Sequence, residues 1–138
     1  MAEINVTRTL DYTPEALWSV VRAFDDLRWF PGGNDAEIRG EGIGQVRIFS
    51  GPDGKIHEHL EARDDAAQSL TYTIPEGIPF PVTGYRSTMV VRDDGGKGQL
   101  SWTCEFEPDG TTTEEAGAAI QGMYNVMIGW IDELLAKG

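Results

Sequence analysis

The sequence predicts an α+β fold: a seven-stranded antiparallel curved sheet wrapped around one long C-terminal helix, with two short helices after the first strand. Three observations lead there. Residues 34–107 are a series of short runs separated by Gly-, Asp- and Pro-containing turns, the texture of consecutive antiparallel strands. Residues 120–134 repeat apolar side chains at spacings of three and four, the period of a helix with one buried face. A sheet of that size has more apolar face than it can leave in water, and the simplest cover within the chain is the long helix. At 138 residues, the whole chain (residues 1–138) is expected to be a single domain, and neither a linker nor an internal repeat interrupts it.

Each element has its own signal. Ala2–Leu10 alternates Ile4 and Val6 with Asn5 and Thr7, a strand period. Thr13 then stands as N-cap before Pro14 at the first helical position and Glu15 in the first turn. Leu17, Trp18, Val21 and Phe24 form the apolar stripe of that helix, and a second short helix is expected from about Asp26 to Phe30, stopped by Pro31-Gly32-Gly33. Six strands follow, at Asp35–Gly40, Gly44–Ser50, Lys55–Arg63, Ser69–Pro75, Val82–Asp93 and Gly98–Glu107. Their connections carry turn residues, among them Gly51-Pro-Asp-Gly54 and Asp93-Asp-Gly-Gly96. After Pro108-Asp109-Gly110, Thr112 or Thr113 caps a helix that runs to about Ala136, with Ile120, Met123, Met127, Ile131 and Leu134 as its core-facing stripe. Gly117, Gly122 and Gly129 each weaken this helix by about 1 kcal/mol relative to Ala, so they either allow close approach of the sheet or mark a helix that depends on packing.

Composition removes several function classes. Hydrophobic residues make up 40% and charged residues 25%, ordinary for a globular chain. The formal net charge of -12 repels phosphate backbones and anionic headgroups, so neither nucleic acid nor a membrane surface is an expected partner. No apolar run reaches the roughly 18–20 residues of a membrane span, and Met1–Leu10 lacks a signal-peptide profile. The one cysteine, Cys104, allows neither an internal disulfide nor a zinc cluster, and fits a cytoplasmic location.

The candidate site comes from register. A turn at Gly51–Gly54 sets Ser50 opposite Lys55, Phe49 opposite Ile56 and Arg47 opposite Glu58. Alternation then places Arg47, Phe49, Ile56, Glu58 and Leu60 on one face, toward the helix. Ile48, His57, His59, Glu61 and Arg63 fall on the other, which is polar enough to meet solvent. An Arg–Glu pair among apolar side chains has two readings: a cross-strand salt bridge at a rim, or a polar pair inside a wet or ligand-filled cavity. On the following strands Tyr72 and Ile74 share a face, as do Tyr85, Ser87, Met89 and Val91, and these line the same space. Within it Glu58 would serve as base, Arg47 as oxyanion stabiliser and Tyr85 as a phenol that donates a hydrogen bond or a proton. That trio suits enolisation, aldol cyclisation or dehydration, and it suits recognition of a carbonyl or carboxylate equally well.

Other conspicuous residues carry less. Trp29, Phe30 and the Met123/Met127 stripe are candidate apolar lining, although aromatic and Met side chains at helical spacing are usually core. Trp18, Trp102, Cys104 and Phe106 read as core, with Cys104 a small buried hydrophobe. His57 and His59 share a face with Glu61, but no third metal ligand converges in sequence and the face is polar. Gly40, Gly42 and Gly44 form no phosphate loop, because no Lys-Ser/Thr follows and no helix starts there. No Ser–His–Asp arrangement is legible.

Together, the strings Trp29-Phe-Pro31, Gly42-Ile-Gly-Gln-Val-Arg47, Glu58-His-Leu-Glu-Ala-Arg-Asp-Asp65, Leu70-Thr-Tyr-Thr-Ile74, Gly84-Tyr85 and Trp102-Thr-Cys-Glu-Phe-Glu-Pro108 make the chain resemble the START/Bet v 1-like (SRPBCC) superfamily. The resemblance is to its bacterial polyketide cyclase/dehydrase-like branch, covers nearly the whole chain, and implies the helix-grip fold. It also implies a cavity for a small, largely apolar ligand, since superfamily members bind or transport lipids or cyclise and dehydrate polyketide-like substrates. Plant abscisic-acid receptors look similar at Val46–Arg47, Glu58–Asp65 and Thr83–Ser87, and there the residues matching Arg47, Glu58, Tyr85 and Ser87 face the hormone cavity. Their gating loop is longer than Ser50–Lys55, so hormone recognition is not carried over.

The expected function is enclosure of a small apolar or amphipathic molecule by Trp29, Phe30, Arg47, Phe49, Glu58, Leu60, Tyr72, Tyr85, Ser87, Met89, Met123 and Met127. As an enzyme the chain would be a cyclase or dehydratase using Arg47, Glu58 and Tyr85 without metal or organic cofactor. The alternative is a carrier without chemistry, and beyond it an interaction module with a vestigial cavity. A homodimer is left open. The Pro- and Gly-containing loops Ser50–Lys55 and Glu76–Pro81 are expected to frame the mouth.

Overall fold

Seven strands form one antiparallel sheet in the order β1-β7-β6-β5-β4-β3-β2 in a computed structural model that describes residues 1–138. The strands are β1 (Ala2–Thr9), β2 (Glu37–Arg39), β3 (Val46–Gly51), β4 (Gly54–Asp64), β5 (Ser69–Glu76), β6 (Val82–Asp94) and β7 (Lys97–Pro108). The first and last of the consecutive strands are brought together by β1 pairing with β7, so the sheet is a β2–β7 meander with β1 added at its far edge. The helices are α1 (Pro14–Val21) and α2 (Thr113–Ala136). Thr13 and Thr112 cap them, each hydroxyl accepting a backbone N–H of the first turn at 3.1 Å, from Ala16 and Glu115 respectively.

Curvature comes mainly from irregular pairing. The β4–β5 register shifts between His57 and His59 and again between Leu60 and Ala62, and the β6–β7 register shifts between Thr83 and Arg86. Each extra residue bends its strand and increases local twist. The concave face so formed holds the core cluster, including Leu60, Leu70, Leu100, Trp102, Phe106, Ile120, Tyr124, Ile128 and Ile131. The predicted α2 stripe is offset from the observed one. Ile120 and Ile131 are buried as expected, but Tyr124 and Ile128 complete the buried row, while Met123, Met127 and Leu134 are half-buried on its flank.

The three α2 glycines separate clearly. A Cβ on Gly117 would stand 3.1 Å from Ile4 Cγ2 and 3.7 Å from the Phe106 ring, so its missing side chain lets α2 approach β1 and β7 closely. Gly122 and Gly129 have open space around them and serve no such approach.

Two expectations need correction. No α-helix forms at Asp26–Phe30. The segment is a run of turns, followed by a 3₁₀ turn at Gly33–Asp35, because Pro31-Gly32-Gly33 leaves too few residues for a hydrogen-bonded α segment. Ile48, placed on the solvent face, is only 5% exposed: it sits in the middle of the β2–β3–β4 ladder, directly opposite Glu37 and His57. α1 is tied to the β4–β5 turn through Asp65, which accepts from Trp18 Nε1 at 3.0 Å and Arg22 Nε at 2.8 Å. No helix is long and apolar enough to cross a membrane.

Candidate functional site

The β3–β4 hairpin has the predicted register: Arg47 opposite Glu58, Phe49 opposite Ile56 and Ser50 opposite Lys55. Pairing continues one step to Gly51 and Gly54, which shortens the connection to Pro52-Asp53. Arg47 and Glu58 therefore sit side by side on the concave face. Arg47 Nε donates to Glu58 Oε1 at 2.7 Å, and the two side chains are only 7% and 10% exposed. A second Arg47 nitrogen donates to the Phe24 carbonyl at 3.0 Å, and the guanidinium lies 4.0 Å from the centroid of the Phe24 ring. This is a desolvated pair and not a rim bridge. Its attraction has to offset the cost of removing both charges from water, so fold stability alone is a weak reason for it.

Deeper on the same face runs a chain of hydroxyls. Tyr72 and Tyr85 meet at 3.1 Å, Tyr85 and Tyr124 are hydrogen-bonded, and Tyr124 meets Ser87 Oγ at 2.9 Å. Trp102 Nε1 donates to Ser87 at 2.9 Å, and the Trp102 and Tyr124 rings stack at 4.4 Å. Register explains the convergence: Tyr72 pairs with Ser87 across β5–β6, and Tyr85, Ser87 and Met89 alternate along β6. Burial pushes the Tyr72 phenol up to about 12, and the nearby Glu58 charge adds to that. Burial, followed by the neighbouring phenols, holds Tyr85 and Tyr124 well above the usual tyrosine value. All three are thus neutral hydrogen-bonding groups at physiological pH. Cys104 is pushed up to about 11 by burial, which suits a core residue and not a nucleophile.

An apolar pocket of about 260 Å³ opens between the β3–β5 part of the sheet and α2. Phe49, Ile56, Ile74, Met123 and Met127 form its apolar wall, with Phe30 bridging Phe49 at 5.0 Å and Trp130 of α2 at 5.3 Å. Glu58, Tyr72 and Tyr85 are its inner polar members. The mouth is bordered by Ser50, Gly51 and Pro52 from the hairpin and by Pro79 and Phe80 from the β5–β6 connection. That connection is held against the hairpin by Gly77, where a Cβ would lie 1.9 Å from the Lys55 carbonyl oxygen. Only glycine fits so close a crossing, and its φ of +78° favours glycine as well.

Of the residues expected at the site, Phe30, Phe49, Glu58, Tyr72, Tyr85, Met123 and Met127 lie on this pocket wall. Arg47 stands behind Glu58 and outside the wall. Ser87 is 0% exposed and joined to Trp102 and Tyr124, so the phenols separate it from the pocket. Leu60 and Met89 pack into the core, and Trp29 stacks edge-on against Phe30 without reaching the wall. Tyr124 was missed: its i, i+4 relation to Ile120 and Ile128 marks it as buried, but nothing in the sequence joins its hydroxyl to Tyr85. Pro79 and Phe80 belong to the expected mouth loop Glu76–Pro81, where the prolines but not Phe80 carry the sequence signal. His57 and His59 are half-buried on the convex side, His57 Nδ1 lying 3.5 Å from Glu76, and no group of three potential metal ligands converges.

Comparison with known proteins places this geometry. The family model described as polyketide cyclase / dehydrase and lipid transport matches residues 1–129. The protein XoxI from Bacillus cereus has 28% identity and a TM-score of 0.85, with 99% of this chain and 96% of that chain covered. Norcoclaurine synthase from Thalictrum flavum, solved with dopamine and hydroxybenzaldehyde, is similar in fold at 18% identity and a TM-score of 0.78, over 99% of this chain and 87% of that one. Ara h 8.0201 shares the fold at 16% identity and a TM-score of 0.79, with 99% of both chains covered. No curated protein sequence matches. The chain belongs to the polyketide cyclase / dehydrase and lipid transport family and has the helix-grip fold.

Proposed function

We propose that this family member binds one small, largely apolar molecule in the pocket between β3–β5 and α2, with the polar end of the ligand against Glu58, Tyr72 and Tyr85. The observation that carries this reading is the wall itself: a mostly apolar surface with three convergent polar groups at its inner end. At about 260 Å³ it lies near the small end of ligand pockets, which run to roughly 300–1,000 Å³, so the fitting molecule has one or two rings or a short chain. The wall residues run from Phe30 to Met127 and border a single core, in keeping with residues 1–138 acting as one domain. The buried Cys104 is in keeping with a cytoplasmic setting.

A catalytic reading rests on one further observation. Glu58 keeps a carboxylate oxygen without a protein donor, beside neutral phenols that can hold and pass a proton. In that reading Glu58 removes a proton from the ligand, and Arg47 steadies the Glu58 charge from behind. The products are those of an enolisation, cyclisation or dehydration that needs no organic cofactor.

Native mass spectrometry of the protein purified from its own host tests binding. One adduct of small-molecule mass per chain is expected, and it should be lost in the pocket-filling Met127→Trp. Adducts that survive Met127→Trp, in a variant with unchanged circular dichroism, would place binding elsewhere. Glu58→Gln separates the two functions by the mass of the adduct: a carrier shows a weaker adduct of the same mass, whereas an enzyme accumulates an adduct of a different mass, that of unconverted substrate.

A further inference from the structure

Hydrogen-bond donors and acceptors at the inner end of the pocket are not balanced. Trp102 Nε1 can only donate, and it donates to Ser87 Oγ at 2.9 Å. The Thr103 carbonyl can only accept, and Ser87 Oγ lies 3.2 Å from it. The single Ser87 proton therefore points at Thr103. Tyr124, 2.9 Å from Ser87, must then donate to it and not accept. With its proton used, Tyr124 accepts from Tyr85, and Tyr85 accepts from Tyr72 at 3.1 Å. This order makes every contact a hydrogen bond. The reverse order puts no proton between Ser87 Oγ and the Thr103 carbonyl oxygen, 3.2 Å apart, and so loses that hydrogen bond.

The protons of the phenol chain thus all point away from the pocket, toward the sheet. What Tyr72 and Tyr85 turn to the pocket is lone pairs. Glu58 adds to the same bias: one oxygen takes the Arg47 Nε proton, and the other accepts from no protein donor. Arg47, the one strong donor nearby, is outside the wall with protons committed to Glu58 and the Phe24 carbonyl. Ser50, the other hydroxyl on the wall, is at the exposed mouth and accepts from Lys55 Nζ at 3.1 Å.

We infer that the pocket is an acceptor site: it selects an apolar molecule bearing a hydroxyl or other neutral hydrogen-bond donor, seated on Glu58 and Tyr72, and rejects molecules of similar shape whose polar group only accepts or is anionic. This rests on the binding reading above and adds the chemical class of the ligand. A site whose buried polar groups are arranged for a donor discriminates strongly against analogues that lack it, because those groups are then left unpaired.

Isothermal titration at neutral pH with 2-naphthol, 2-methoxynaphthalene and 2-naphthoate tests it. 2-Naphthol should bind at least tenfold more tightly than 2-methoxynaphthalene, and 2-naphthoate should not bind measurably. Tyr72→Phe removes one acceptor and should lower 2-naphthol affinity several-fold while leaving 2-methoxynaphthalene unchanged. Glu58→Gln brings an amide donor into the wall and should narrow the ratio between those two compounds. Circular dichroism confirms that each variant folds. Equal or tighter binding of 2-methoxynaphthalene or 2-naphthoate overturns the acceptor polarity and leaves the pocket standing. Binding by none of the three overturns the pocket reading and this inference with it.

Discussion

One face of α2 meets the sheet in two different ways. Over β1 and β7 the helix is seated: Ala116 and Gly117 present almost no side chain, Ile4 and Phe106 come into contact, and Trp102 stacks flat on Tyr124. Over β3–β5 the helix stands off, and Phe30, Met123 and Met127 border the gap without filling it. Side-chain size at the points of contact sets the difference. Small residues early in α2 draw one end down, while the bulky Phe30–Trp130 contact near its other end props the helix above the hairpin. Core and pocket are therefore two outcomes of the same alternating pattern.

The largest test of that contrast is the ion pair on the pocket side. Arg47→Met leaves the Glu58 carboxylate desolvated without its partner and should cost about 3–5 kcal/mol in urea unfolding. Asp65→Asn, which weakens the exposed Arg22–Asp65 pair, should cost no more than about 1 kcal/mol. Replacing both members in Arg47→Met/Glu58→Leu should recover much of the loss, since no charge is then left buried. An Arg47→Met loss no greater than that of Asp65→Asn would mean that water reaches the pair freely.

Neighbouring positions on α2 sharpen the comparison. Ile128 is fully buried on the seated side, and Ile128→Ala should cost about 2–5 kcal/mol. Met127 borders the pocket, where truncation enlarges an existing space, and Met127→Ala should cost less than about 1.5 kcal/mol. Similar losses at the two positions would show the pocket to be closed and packed.

The phenol chain joins both sides and gives a pH test. Folding raises the values of Tyr72, Tyr85 and Tyr124, so above about pH 10 the unfolded chain loses protons that the folded chain keeps. Stability is complete below that range and falls as pH rises toward 12, by about 1.4 kcal/mol per pH unit for each phenol still protonated in the fold. Absorbance at 295 nm should show these three tyrosines ionising only as the protein unfolds. Gradual ionisation of all of them in the folded state would mean that the chain is open to solvent.

The smallest expected effect lies in the glycines. Gly122→Ala, in open space, should raise stability by about 1 kcal/mol through helix propensity alone. Gly117→Ala should lose that gain, because its methyl meets Ile4 at 3.1 Å. Equal gains at both would mean that α2 is not held tightly on β1.

Local chemistry was enough for much of this molecule. Period-two alternation, the Gly51–Gly54 turn and the capping threonines depend on neighbours in sequence, so the succession of antiparallel strands, the Arg47–Glu58 register and both helix starts, the second to within one residue, were legible without coordinates, whereas the pairing of β1 with β7 was not. Even there a competition between local signals misled: Asp26–Phe30 carries helix-compatible residues but is too short against Pro31-Gly32-Gly33. What tertiary structure alone decided is how far α2 stands from each part of the sheet, and so which inward-facing residues became core and which became wall. Leu60, Ser87 and Met89 point inward like Phe49 and Tyr85, yet only the latter two meet empty space. Tyr124 joins Tyr85 across 39 residues of chain, a contact set by the pitch and seating of a helix on a curved sheet. Alternation specifies the face of a side chain, but the depth of packing above that face is a property of the whole assembled core.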